Sequence, residues 1–191
     1  MKYYVLFGPP GAGKGTHAVA IADKYHLKHI STGELLRAEI AAGTQLGKQA
    51  KALIDAGSLV PDSVVEGMIA SAFDTIKGYD GFLLDGFPRT IAQAQALDRI
   101  LQERGETLEA VISIMIPDEV IYERIARRAQ QEGRADDTSK EVIAHRIETY
   151  HTQTEPLIGF YRNAGKYHEV AGHPGTIEEN RNRVLAMLEA L

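Results

Sequence analysis

The chain has 191 residues, with 21 lysines and arginines against 26 aspartates and glutamates, and a net charge of −5. This length suits one domain with a substantial core, and the acidic balance argues against nucleic-acid binding, which needs a basic stripe. With no apolar run of membrane-spanning length and no cysteine for a disulfide or a thiolate zinc site, the composition predicts a single cytoplasmic domain over residues 1–191, without a membrane partner.

The first predicted strand, residues 3–7, runs directly into a glycine-rich turn that opens a helix. The turn reads GPPGAGKGT over residues 8–16. Successive backbone N–H groups in such a turn form an anion-binding nest, and the helix N-terminus adds partial positive charge. Lys14 supplies a full charge, so the segment predicts binding of the phosphates of a nucleoside triphosphate.

One position of this phosphate loop departs from the usual pattern G-x-x-x-x-G-K-[ST]. Gly15 follows the lysine, where the pattern has a hydroxyl residue that binds Mg²⁺, and Thr16 comes one residue later. We therefore expect Mg²⁺ to be held mainly by phosphates, water and an acidic residue elsewhere in the chain, with Thr16 as a secondary contact.

Helical patterns and short apolar strands alternate through the rest of the chain. In chain order the sequence first predicts a helix at 17–25, a strand at 28–30, a helix at 35–42 opened by a capping box of Ser31 and Glu34, and helices at 45–56 and 62–73. It then predicts a strand at 81–84, a helix at 91–104, a strand at 110–116 and a helix at 120–131. The last predicted elements are one bent helix or two at 139–164, a strand at 166–170 and a helix at 176–191. This alternation indicates an α/β fold with a parallel sheet of about five strands, covered by helices on both faces. Ligands of such sheets bind at the carboxyl ends of the strands.

A second charged motif, DGFPR at residues 85–89, follows the strand predicted at 81–84. An aspartate at the end of a buried strand holds Mg²⁺ in phosphate-loop enzymes, so Asp85 is the predicted metal residue, acting through water. The alternative role for Asp85 is to cap the next helix. Arg89 follows the same turn, and a guanidinium can bind two phosphate oxygens at once.

Further arginines occur in the second half of the chain, at Arg124, Arg127, Arg128, Arg134 and Arg146. Arginines at the carboxyl edge of a sheet suit phosphoryl transfer, in which cations neutralise two polyphosphates. Each arginine alone could equally lie on a solvated helix face, and Glu123 and Arg127 have the spacing of a helical ion pair.

Five stretches of the chain together resemble the adenylate kinase family, and they come in the family's order. They are residues 8–16, 31–37, 57–61, 85–93 and 133–137. The resemblance implies a phosphate-loop NTPase fold with a helical AMP-binding subdomain at 31–60 and a lid at 128–138. It also implies a monomer that transfers the γ-phosphoryl group of Mg-ATP to AMP and gives two ADP. Only five residues separate Arg128 from Arg134, so the lid is of the short form, which binds no zinc.

The resemblance also assigns roles to matching positions. Those for ATP are Gly11, Ala12, Gly13, Lys14, Gly15, Thr16, Arg128 and Gly175. Those for AMP are Thr32, Arg37, Ser58, Leu59, Val60, Gly86, Phe87, Pro88, Arg89, Gln93, Arg134 and Arg146. The catalytic set is Lys14, Asp85, Arg89, Arg128, Arg134 and Arg146, with Mg²⁺ as the cofactor at Asp85. His145 is an alternative to Arg146, because the interval after Asp137 is one residue longer than the family pattern.

Three other functions stay open at this level. A UMP/CMP kinase shares most of these motifs but typically has alanine and asparagine where this chain has Thr32 and Gln93. A nucleotide-binding protein without catalysis would be expected to lose some of the charged residues, and a plain ATPase would need no AMP. Transfer to a phosphate oxygen needs no covalent nucleophile on the protein, so His17 and His26 are expected on helix surfaces.

Overall fold

The computed structural model describes residues 1–134, 137 and 139–191. These residues form five strands, β1 (Lys2–Phe7), β2 (Leu27–Ser31), β3 (Gly81–Asp85), β4 (Ala110–Met115) and β5 (Tyr167–Ala171). Their nine α-helices are α1 (Lys14–Tyr25), α2 (Thr32–Ala41), α3 (Gln45–Asp55), α4 (Asp62–Thr75), α5 (Ile91–Gln102), α6 (Asp118–Glu132), α7 (Lys140–Thr149), α8 (Leu157–Asn163) and α9 (Ile177–Glu189). None of the helices in this described part is long and apolar enough to cross a membrane.

The strands form one parallel sheet in the order β2-β3-β1-β4-β5. In the register of the sheet, Asp85 at the end of β3 lies opposite Leu6 of β1 on one side and Ser31 of β2 on the other. The phosphate loop after β1 and the start of α2 therefore meet at the same carboxyl edge. The predicted α/β fold with a five-stranded parallel sheet is confirmed.

Both faces of the sheet are buried, and the side chains of each strand alternate between two core clusters. Val5 and Leu84 belong to one core cluster, whereas Leu6 and Leu83 belong to the other. Three aromatic rings pack within the first cluster, with Phe82 at 5.6 Å from Tyr3 and 4.7 Å from Phe73 between ring centroids. This double burial explains why the strands appear in the sequence as continuous apolar runs.

The helical region predicted at 139–164 is divided in the structure. Helix α7 ends at Thr149, a π-helical turn covers Tyr150–Thr154, and α8 begins after Pro156. Proline has no N–H and cannot continue the hydrogen bonds of a helix, but it is well tolerated where a helix begins. The region is therefore two helices joined by an irregular turn.

Two local predictions need correction. The capping box predicted at Ser31 and Glu34 is only half formed, since Ser31 caps α2 by accepting a hydrogen bond from the Glu34 N–H at 3.3 Å. Both hydrogen bonds of a capping box are found at the start of α9, between Thr176 and Glu179. His17 was expected on the surface of a helix, and this was wrong, since it is only 4% exposed. It lies on the inner face of α1 with Ala18 and Ile21.

We predict that Phe82→Ala lowers the free energy of unfolding by about 3–5 kcal/mol, because it removes a fully buried ring and leaves a cavity. Urea unfolding followed by circular dichroism measures this change. Tyr122→Ala, at a ring 43% exposed on α6, is the matched control and should change stability by about 0.5 kcal/mol or less. Equal effects of the two substitutions would contradict the packing described.

Candidate active site

A cavity of about 900 Å³ opens at the carboxyl edge of the sheet. It is lined by the phosphate loop, by the starts of α1 and α2, by residues that follow β3, and by one face of α6. All the residues that the sequence assigned to nucleotides line it except two. The exceptions are Phe87, whose side chain is buried in the core, and Pro88, which lines a separate cavity of about 70 Å³.

The phosphate loop depends on glycine at its first position. Gly8 has φ of +144°, and a Cβ there would lie 2.5 Å from the carbonyl oxygen of Ile114 in β4. No side chain fits in that space, so the loop can lie directly against the sheet only with glycine. The Nζ of Lys14 donates hydrogen bonds to the carbonyl oxygens of Gly8 and Pro9, at 3.0 and 3.1 Å.

The charge of Lys14 is destabilised by its surroundings. Burial lowers the pKa of Lys14 to about 8, and the guanidinium groups of Arg89, Arg146 and Arg128 also act in that direction, against the opposite effect of Asp85. A cation in such a position is stabilised by any anion that enters the cavity. The loop therefore has the electrostatics of a phosphate site.

Asp85 is the acidic residue of this site. It is 8% exposed, and its Oδ2 lies 3.4 Å from Nε2 of His29 on β2. Burial alone raises the pKa of Asp85, but the contact with His29 and the charge of Lys14 outweigh burial and hold the pKa below its ordinary value. The carboxylate is therefore ionised at neutral pH. A Cβ on Gly15 would lie 4.0 Å from Oδ2, so glycine keeps the space beside the carboxylate open.

The turn after Asp85 brings three predicted AMP residues together. The carbonyl oxygen of Gly86 accepts hydrogen bonds from Oγ1 of Thr32 at 3.0 Å and from Nε of Arg89 at 2.8 Å. Gly86 has φ of +84°, and a Cβ there would lie 2.7 Å from Oγ1 of Thr32. Glycine is thus required for β3 and α2 to approach this closely.

Gln93 occupies the first turn of α5, and it is only 2% exposed. Its Oε1 accepts a hydrogen bond from the backbone N–H of Arg89 at 2.7 Å, and its Nε2 donates to Oδ1 of Asp62 at 2.8 Å. Leu36, Val60 and Val65 line the same cavity and belong to one core cluster, against which Ile54 packs. Leu59 lines the cavity as well. A wall made of these apolar side chains and the amide of Gln93 suits a flat, weakly polar ring.

The arginines of α6 and α7 are joined by an acid that the sequence analysis did not assign. Asp137, whose side chain is fully buried, accepts two hydrogen bonds from Arg128, at 2.6 and 2.7 Å, and one from Arg146. Arg134 pairs with Glu132. Arg146 lines the cavity, whereas Nε2 of the alternative residue, His145, is 3.0 Å from Oγ of Ser58. Ala135, Asp136 and Thr138, which belong to the predicted lid, lie outside the described residues.

Arg124 is a second residue of the site to which the sequence assigned no binding or catalytic role. Its guanidinium donates to the carbonyl oxygen of Ala12 at 3.3 Å and to that of Gly172 at 2.9 Å. It thereby joins the phosphate loop to the loop that contains Gly175. Arg124 precedes Arg128 by four residues on α6, and this spacing places both on one face of the helix. The spacing is the signal by which the sequence could have identified it.

The geometry defines a class of protein. A phosphate loop after β1, an ionised aspartate at the end of β3, and arginines from α6 and α7 around one cavity are the parts of a phosphate-loop nucleotide-binding protein. A family model described as adenylate kinase matches residues 6–166. The chain belongs to the adenylate kinase family.

Curated relatives agree with this assignment over nearly the whole chain. A protein of Phocaeicola vulgatus named adenylate kinase is 46% identical over 191 residues, which cover all of both chains. One of the same name from Stenotrophomonas maltophilia is 47% identical over 97% of this chain and 98% of its own. Another, from a Synechococcus species, is 46% identical over 99% of this chain and 97% of its own.

We predict that Asp137→Ala lowers the free energy of unfolding by about 3 kcal/mol, because it removes a buried carboxylate that two guanidinium groups share. Urea unfolding measures the change. Glu132→Ala is the control, since it breaks the more exposed pair with Arg134 and should cost less than about 1 kcal/mol. A loss as small as that of the control would contradict a structural role for Asp137.

Proposed function

We propose that this protein catalyses the reversible transfer of the γ-phosphoryl group of Mg-ATP to AMP, giving two ADP. The observation that carries the proposal is a single cavity that holds both the phosphate loop and the pocket around Gln93. The same cavity is lined by the charged residues Lys14, Asp85, Arg89, Arg128, Arg134 and Arg146. This arrangement suits a reaction in which two phosphate-bearing substrates meet. The family membership supports the same reaction.

The donor nucleotide would bind along the phosphate loop. Backbone N–H groups of Gly11 to Thr16 face the β- and γ-phosphates in such loops, and Lys14 adds its charge. Arg128 would contact the same phosphates, held in place by Asp137. The base would lie near Gly175, whose loop is positioned through Gly172 by Arg124 and by Asn180, the latter donating at 2.9 Å.

The acceptor AMP would bind on the other side of the phosphate loop. Arg37 and Arg89 would hold its phosphate, Thr32 and Gly86 would line the approach, and Gln93 would contact the base. Ser58, Leu59 and Val60 would form the wall of the pocket. The backbone near Phe87 and Pro88 would contribute through the turn it forms, since neither side chain lines this cavity. Arg134 and Arg146 would act on the phosphoryl group in transit.

The residues present fit a magnesium ion. Asp85 offers an ionised carboxylate, a hard oxygen ligand of the kind Mg²⁺ prefers, and Gly15 leaves the space beside it open. Asp85 would hold the ion through water, with Thr16 as a secondary contact. When bound, Mg²⁺ neutralises charge on the β- and γ-phosphates as the phosphoryl group leaves. Nε2 of His29 lies 3.4 Å from that carboxylate.

Catalysis would rest on positioning and charge neutralisation. The acceptor is an anionic phosphate oxygen, so no side chain needs to remove a proton or form a covalent bond. The arginines would stabilise the negative charge that the phosphoryl oxygens carry in the transition state.

Burial lowers the pKa of His17, which keeps that imidazole neutral beside the loop.

Closure over the substrates would involve residues 31–60 and the short lid at 128–138. In this conformation the first of these segments already contacts α7 through the Ser58–His145 hydrogen bond, and Gly57 packs against Arg146.

We further propose that the protein acts as a monomer in the cytoplasm. The UMP/CMP kinase alternative is not favoured, because the curated relatives are named adenylate kinases.

A coupled assay of ADP formation tests the proposed function. With ATP as donor and AMP, CMP or UMP as acceptor, turnover should be fastest with AMP, should require Mg²⁺, and should give little hydrolysis without an acceptor. Faster turnover with CMP or UMP would favour a pyrimidine nucleotide kinase. Hydrolysis of equal rate without AMP would indicate an ATPase.

We predict that Arg89→Ala lowers kcat at least a hundredfold, because the loss of one transition-state charge contact costs about 3 kcal/mol. Steady-state kinetics at saturating ATP and AMP measure the change. Arg99→Ala, at an exposed arginine in the last turn of α5, removes the same charge away from the cavity and should keep the wild-type rate. Near-normal turnover of Arg89→Ala would contradict the role proposed for Arg89.

We predict that ATP binding takes up close to one proton at about pH 9 and little at about pH 7, since free Lys14 has a pKa of about 8 and phosphates raise it. The phosphates themselves titrate near pH 6 and contribute little at the higher pH. Calorimetry in buffers of different ionisation enthalpy counts the protons. Lys14→Met should abolish phosphoryl transfer and the uptake at high pH; unchanged uptake in that variant would assign the proton to another group.

A further inference from the structure

The amide of Gln93 is held between two groups of opposite hydrogen-bonding character. On one side is the backbone N–H of Arg89, which can only donate, at 2.7 Å. On the other is the carboxylate of Asp62, which when ionised can only accept, at 2.8 Å. The oxygen of the amide must therefore face Arg89 and the nitrogen must face Asp62. Rotating the amide by half a turn would bring two donors together at Arg89 and two acceptors together at Asp62.

These two hydrogen bonds leave part of the amide unused. An amide oxygen can accept twice and an amide nitrogen can donate twice, so after its hydrogen bonds within the described residues Gln93 keeps one acceptor position and one N–H. Gln93 lines the cavity and Asp62 does not. Any effect of Asp62 on a molecule in the cavity would therefore pass through the orientation of Gln93. Gln93 can thus present one acceptor and one donor to a molecule in the cavity, and its hydrogen bonds to Arg89 and Asp62 determine which is on which side.

A fixed acceptor beside a fixed donor matches one kind of purine. Adenine presents its 6-amino donor next to a ring-nitrogen acceptor, whereas a 6-oxo purine presents a carbonyl oxygen in place of the amino group. A fixed glutamine oxygen would face that carbonyl oxygen, and two acceptors would meet. A freely rotating glutamine could turn its N–H to the carbonyl and accommodate either base.

We propose that Asp62 is a positioning residue that sets the base specificity of the acceptor site, by holding Gln93 in the orientation that accepts a 6-aminopurine and rejects a 6-oxopurine. This inference rests on the proposed function, because it takes the pocket around Gln93 as the site of the acceptor nucleotide. The backbone N–H of Arg89 provides the other half of the constraint and cannot be removed by substituting a side chain.

Asp62 also occupies the first turn of α4, where an acidic residue stabilises a helix. The two roles make different predictions. A residue that only stabilises α4 would alter the melting temperature and would change KM for both substrates or neither. A residue that orients Gln93 would alter the preference between acceptor bases and leave KM for ATP unchanged.

The test uses AMP and IMP as acceptors, because they differ only at the base and share ribose and phosphate. The ratio of kcat/KM for AMP to that for IMP is measured with saturating ATP in the wild type and in three variants. Asp62→Asn keeps the size of the side chain but can donate as well as accept. Asp62→Glu keeps a carboxylate. Glu66→Gln removes a carboxylate from the same helix at a position that does not line the cavity.

We expect Asp62→Asn to narrow the AMP to IMP ratio by about tenfold, because the asparagine amide can turn to match either orientation of Gln93 and no longer favours one of them. Asp62→Glu should retain more of the wild-type ratio, and Glu66→Gln should retain all of it. KM for ATP should stay close to that of the wild type in all three. Asp62→Asn should lower the melting temperature slightly, because it removes an acidic residue from the first turn of α4.

The inference would be overturned if Asp62→Asn kept the wild-type ratio of kcat/KM for AMP to that for IMP. It would also be overturned if Glu66→Gln narrowed this ratio as much as Asp62→Asn. A parallel rise of KM for ATP and AMP, with the ratio unchanged, would assign Asp62 to helix stability alone and overturn it as well. These outcomes differ from failure of the proposed function, in which the wild type itself would form no ADP from ATP and AMP.

Discussion

The carboxyl edge of the sheet holds more positive charge than it can easily stabilise, and this is the constraint on which the site depends. The effect is clearest at Lys14, whose pKa falls to about 8 because it is buried with arginines nearby. Two buried acids offset part of this positive charge: Asp85 acts on Lys14 through its charge, and Asp137 forms ion pairs with Arg128 and Arg146. Entry of phosphates would relieve the remaining repulsion, so part of the binding energy is prepared by the fold.

Parallel strands bring these charges together. Residues that are far apart in sequence follow neighbouring strands, with the phosphate loop after β1 and Asp85 at the end of β3. Glycine makes the approach possible where a side chain would collide, at Gly8 against β4 and at Gly86 against Thr32. The charged residues thus depend on a sheet whose core is packed on both faces.

The sequence predicted the strands and the phosphate loop from local signals, and the family resemblance assigned about half of the residues that line the cavity. Apolar runs mark buried strands, and glycine spacing marks the loop. It assigned no role to Asp62, Arg124 or Asp137, because what each does depends on hydrogen bonds to other parts of the fold, which no short motif records. The burial of His17 was missed for a similar reason, because a polar residue in an amphipathic helix reveals nothing about what packs against it.

Two anionic nucleotides held in one cavity permit the phosphoryl group to pass directly between them. Three histidines also line that cavity, His17, His29 and His173, and each is chemically able to carry a phosphoryl group. The stereochemistry at phosphorus separates the two routes. With ATP made chiral at the γ-phosphorus by oxygen isotopes and sulfur, a single in-line transfer to AMP gives inversion of configuration, and this is the result we predict. Retention would require two successive transfers through the protein and would contradict direct transfer.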